Sequence, residues 1–305
     1  MLFFATSDKG GTGRSVTSCN LAYRRALNGG DICYLDFDFG SPTAGAVLQI
    51  NSVVQGTTDG GLHSYLRGRV AEPHQLDIWS ESERSSLRAR PPGAGRLVLL
   101  PGDIGGGEFS SDPDVVQRCT KLLLRLQEEF DLCLVDLSAG RSYATEIVLA
   151  ATAEPELRQV TSRWLVFHRW TRQHITAASD LVFGERGIVE AGAASGHDRR
   201  SLTNSIRFIR TLVMDPNSPD LAGLRAPQVA WLRDCNDDLQ RLASKCGIGR
   251  TLVLGSVPLD PVLQWHEQLI TDNDVVERQI ANQQTVDAFD VLAARLTDDA
   301  AWMGL

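Results

Sequence analysis

Residues 8–15 read Asp8-Lys9-Gly10-Gly11-Thr12-Gly13-Arg14-Ser15. The glycines expose backbone N–H groups, Lys9 and Arg14 bracket them with positive charge, and Ser15 adds a hydroxyl. Set between a strand and the positive end of a helix dipole, such a turn cradles an anion before any side chain contributes. The spacing approaches the phosphate-binding pattern G-x-x-x-x-G-K-[ST], with two departures. Asp8 stands at the first Gly. Arg14 stands at the Lys, a planar fork in place of a compact ammonium.

Acidic residues supply the other half of phosphoryl chemistry, a metal shell and an oriented water. Asp36 and Asp38 close the apolar run Ile32-Cys33-Tyr34-Leu35. Their separation of two places both carboxylates on one side of a strand. Asp136 closes a second run, Leu132-Cys133-Leu134-Val135, the setting of a carboxylate that holds Mg²⁺ through water.

These residues need elements that bring them together. Leu2-Phe3-Phe4-Ala5 predicts a strand, and apolar Val16, Leu21, Ala22 and Leu27 predict the helix after the glycine turn. With the run from Ile32 they form a βαβ unit whose right-handed crossover makes the strands parallel. Further strands are expected at 96–100, 130–137, 163–169, 206–213 (ending at Met214-Asp215-Pro216) and 250–257. Helices are expected at 62–66, 114–130 (inner face Val115, Leu122, Leu123, Leu126), 232–246 and 285–296. Residues 72–95 read as a polar surface excursion with some helix, and 184–196 as a Gly/Ala-rich loop. The expected architecture is α/β: one domain over 1–305, built on a single doubly wound, mostly parallel sheet of six or seven strands with helices on both faces.

Lys9-Gly10-Gly11-Thr12-Gly13-Arg14-Ser15 resembles, in six of seven positions, K-G-G-x-G-K-[ST], the deviant phosphate loop of the ParA/MinD group of ATPases. With Arg14 it is similar to the variant P-loop branch found in actinobacteria. The order of motifs extends the resemblance over nearly the whole chain. Asp36-Phe37-Asp38-Phe39-Gly40 matches the switch I D-x-D, and Asp136-Leu137-Ser138-Ala139-Gly140 matches Walker B and switch II without its Pro. Gly255 to Asp260 matches G-x-x-P-x-D. The resemblance implies ATP and Mg²⁺ as cofactors and slow hydrolysis as a switch that positions or regulates a protein partner. Lys9 would reach across a nucleotide-dependent homodimer to the partner's phosphates. Gly10, Gly11, Thr12, Gly13, Arg14, Ser15 and Val16 would hold the nucleotide, with Pro258 and Asp260 beside its base. Asp38 would assist the attacking water, and Ser15, Asp36 and Asp136 would form the metal site. The alternative is a non-hydrolysing relative, in which Arg14 holds nucleotide or fills its site and the chain serves as an interaction scaffold.

Composition narrows the rest. A net charge of −8 and a pI near 5.3 argue against a nucleic-acid coat. No helix-turn-helix precedes the first strand, so sequence-specific DNA binding is not expected. The tail 297–305 carries Asp298 and Asp299 and no Lys or Arg, unlike a basic amphipathic membrane anchor. The six Cys form no C-x-x-C pair, which reads as a reduced, cytoplasmic protein. His168 and His174 lack a helical metal-ligand spacing.

Overall fold

The computed structural model describes residues 1–88, 90–215 and 223–303. Pro216, expected to follow a strand, lies outside them. Among the described residues eight strands form one sheet: β1 (Leu2–Thr6), β2 (Ile32–Phe37), β3 (Leu76–Asp77), β4 (Leu97–Leu100), β5 (Leu132–Leu137), β6 (Ser162–Arg169), β7 (Ile206–Val213) and β8 (Val253–Pro258). Their order is β3-β4-β2-β5-β1-β6-β7-β8. All neighbouring pairs are parallel except β3 with β4.

The strands are apolar on both sides, as a sheet covered on both faces requires. Phe3, Tyr34 and Leu134 join one core layer, packed on α1 (Arg14–Leu27). Leu2, Phe4, Leu35 and Val135 join the other. Between β2 and β4 come the short helices α2 (Ala44–Val47), α3 (Leu62–Leu66) and α4 (Ile78–Glu81). α5 (Pro113–Glu129) buries Val115, Cys119, Leu122, Leu123 and Leu126, the stripe its periodicity predicts. α6 (Tyr143–Ala153) is apolar nearly all round and is sandwiched, which removes the amphipathic signal by which sequence identifies a helix. α7 (Arg172–Phe183), α8 (Ile188–Ala194), α9 (Arg199–Asn204), α10 (Ala226–Lys245), α11 (Pro261–Trp265), α12 (Asp272–Val276) and α13 (Gln283–Thr297) complete the layers.

Two segments differ from the sequence expectation. Residues 72–95 cover the sheet's outer edge: β3 adds antiparallel to β4, and Ile78, Trp79 and Leu87 are buried. Arg84 of this segment forms a buried ion pair with Asp274 on α12. Polar composition hid three large apolar anchors. Within 184–196, α8 buries Ile188 and Val189; seven residues are too few for a periodic signal. Trp170 is packed: Arg210 stacks 3.9 Å from its ring, and its indole N–H donates to Asn236 at 3.0 Å.

Candidate phosphate-binding site

Strand register carries the acids to the loop. β2 and β5 place Asp36 beside Asp136, and β1 places Ala5 beside Asp136. The loop leaving β1 therefore passes over both carboxylates. Gly11 (φ 70°) and Gly13 (φ 74°) take the left-handed conformation that lets this turn enter α1. Thr211 of β7 donates its hydroxyl to Thr12 O at 2.6 Å and pins the loop's middle.

Arg14 turns inward. Its guanidinium is 6% exposed and sits between two acids: Nε donates to Asp136, and Nη2 donates to Asp38 at 2.9 Å. The Ser15 hydroxyl lies 3.4 Å from the same Nη2. Asp136 is fully buried, and its second oxygen accepts the Tyr34 hydroxyl at 2.9 Å. Asp36 accepts backbone N–H groups from Thr43 at 2.9 Å, Ala44 at 3.0 Å and Asp38 at 3.3 Å. Burial opposes the charge on Arg14, but the attraction of Asp136 and then Asp38 outweighs it and raises its pKa above the ordinary guanidinium value. Burial, with repulsion from Asp136, pushes the Asp36 carboxyl up to about 8.

Above the Arg14–Asp38 pair opens a cavity of about 290 Å³ bounded by the loop, Asp38, Thr43 and Glu267. Gly10 and Gly11 have no atom within 4 Å of where a Cβ would stand. The first bond of α1 runs from Thr17 N–H to Gly13 O at 2.9 Å. Among the described residues the N–H groups of Arg14, Ser15 and Val16 have no acceptor. The cradle therefore fits phosphate oxygens. A divalent metal does not fit this donor set. Arg14 and Tyr34 engage both Asp136 oxygens, backbone donors engage Asp36, and a guanidinium already stands between Asp38 and Asp136. Among the described residues no three His, Cys, Asp or Glu side chains converge as a metal site. A wider depression of about 900 Å³ beside α6 and α8 is lined by charges of both signs, several already ion-paired.

The loop residues, Val16 and Asp38 thus converge on the cavity. Lys9 is not among the lining residues, and its ammonium has no acidic partner within 4 Å among the described residues. Pro258 and Asp260 are not among the lining residues. Pro258 pairs with Val213 in the sheet. Asp260 is fully buried and accepts the Val262 N–H at 3.0 Å, the Asn282 N–H at 2.9 Å and the Thr285 hydroxyl at 2.7 Å. It caps α11 and ties it to the start of α13.

Sequence reasoning missed Tyr34, Ser138 and the Asn20–Arg24 pair. Tyr34 shares strand parity with Asp36, which is a usable signal. Ser138 accepts the Phe39 N–H at 3.0 Å, joining the loops after β2 and β5. Asn20 and Arg24 stand one turn apart on α1 and hold the strip 268–272 through Gln268 O, Ile270 and Asp272.

A parallel sheet with a glycine-rich anion loop after its central strand, and acids ending the two strands beyond, defines the ParA/MinD-type P-loop fold. Solved structures similar to this chain have that fold. MinD of Pyrococcus horikoshii complexed with Mg-ADP matches at a TM-score of 0.56 and 15% identity, over 98% of both chains. A plasmid partition protein of Borrelia burgdorferi bound to AMPPNP matches at 0.59 and 13% identity, over 98% of both chains. MinD in the MinC:MinD cell division complex of Aquifex aeolicus matches at 0.55 and 16%, over 97% of this chain and 95% of that one. No protein-family model matches the sequence, and no curated protein matches it. No helix of the described residues is long and apolar enough to cross a membrane.

Proposed function

We propose that this chain binds a nucleoside triphosphate on the Lys9–Ser15 loop and acts as a non-hydrolysing, nucleotide-dependent interaction protein. The observation that carries this reading is the double ion pair of Arg14. The two carboxylates that would orient a water and hold a metal instead neutralise a buried cation. What remains is binding: helix N–H groups and a Lys9 without partners among the described residues, and an open glycine cradle. The solved neighbours with Mg-ADP and AMPPNP support nucleotide as the ligand class. A second copy is the first partner this reading calls for, because Lys9, with no acidic partner among the described residues, would meet phosphates held by another subunit. Trp265, 89% exposed on α11 two residues before the cavity-lining Glu267, supports an interface there.

The test measures ATP binding, phosphate release and solution mass together. ATP should bind, phosphate release should stay at the buffer background, and mass should double with ATP in the wild type but not in Lys9→Ala. Steady turnover abolished by Asp38→Ala would restore the hydrolytic switch. Absence of ATP binding would remove the nucleotide reading altogether.

A further inference from the structure

The double ion pair says more about the ligand. Resting on the nucleotide-binding reading above, we propose that Arg14 takes the place of a divalent cation, so the chain binds polyphosphate free of metal. A bound Mg²⁺ keeps several waters and is held by one or two carboxylates together with the phosphates it accompanies. Here the Asp136 oxygens receive the Arg14 Nε–H and the Tyr34 hydroxyl. One Asp38 oxygen receives the Arg14 Nη2–H. A fixed cation, the Arg14 guanidinium, already lines the cavity between the acids. A guanidinium presents several N–H donors in one plane and matches phosphate geometry. With Nε anchored on buried Asp136, the fork can exchange Asp38 for a phosphate oxygen without leaving its anchor.

Restoring the lysine should reverse this. An ammonium has no fork with which to hold both acids while meeting phosphate. In Arg14→Lys one carboxylate is released next to the Ser15 hydroxyl, and a divalent ion regains a place. The experiment is calorimetric titration of ATP into wild type and Arg14→Lys, in excess EDTA and in Mg²⁺. Wild-type affinity should agree within about threefold between the two conditions, while Arg14→Lys should bind at least about tenfold tighter with Mg²⁺. A wild type that binds tenfold tighter with Mg²⁺ overturns the inference and leaves the nucleotide reading standing. Wild-type binding in neither condition overturns both. Should Arg14→Lys not fold, Asp38→Asn serves instead. It frees the fork without adding an anionic ligand, so EDTA-phase affinity should hold or rise, and a loss beyond about tenfold would overturn the inference.

Discussion

Replacing Arg14 with Met keeps much of its length and removes its charge. Two acids then lose their cation: Asp136, fully buried, and Asp38, 19% exposed. Breaking a buried pair by removing one partner costs about 3–5 kcal/mol, because the charge left behind cannot recover its hydration. An unfolding entropy of about 2.1 cal/mol/K per residue over 305 residues amounts to roughly 0.6 kcal/mol/K, so the melting temperature should fall by about 5–8 °C. The loss should depend on pH with a definite sign. Uncompensated buried carboxylates take up protons, so the deficit is largest near pH 8 and shrinks toward pH 5.5. Adding Asp136→Asn to Arg14→Met should recover part of it at pH 8, since the buried anion is removed as well. Nucleotide-free thermal scans of the three proteins at both pH values suffice. A loss under about 1 kcal/mol at pH 8, or an equal loss at both pH values, would refute the ion-pair argument.

Two further outcomes follow from other buried groups. Burial lowers the His168 pKa to about 4, below its ordinary 6.5; its Nδ1 donates to Arg169 O and its Nε2 has no partner among the described residues. The unfolded chain therefore binds more protons between these values. Stability contributed by neutral His168 is full above about pH 6.5 and is lost as pH falls toward 4, by up to about 3 kcal/mol; denaturant midpoints of His168→Gln should lose that slope. Asp260→Ala strips a cap and leaves buried N–H groups unpaired, costing about 1–3 kcal/mol. ATP affinity should stay within about twofold; a tenfold loss would return Asp260 to the nucleotide site.

Much of the site was legible because its signals are local. A glycine-rich turn after an apolar run, and acids ending apolar runs, are read from neighbouring residues. Parallel strands joined by right-handed crossovers leave few ways to arrange them. Elements lacking such local signals were not legible. β3 and α8 are too short for periodicity, α6 is apolar all round, and the edge cover 72–95 is stabilised by a few anchors in polar surroundings.

The direction of Arg14 was beyond sequence for a different reason. Sequence alone established that a cation follows Gly13 and that three acids end strands nearby. Whether that cation faces the cavity or the acids depends on the β2–β5 register that seats Asp36 beside Asp136. It depends also on the Tyr34 hydroxyl engaging the far side of Asp136, and on burial that makes an unpaired guanidinium and an unpaired carboxylate equally costly. Asp260 shows the same division. Its motif lies in the chain, but its three hydrogen bonds come from α11 and the start of α13, and folding alone brings α13 to it.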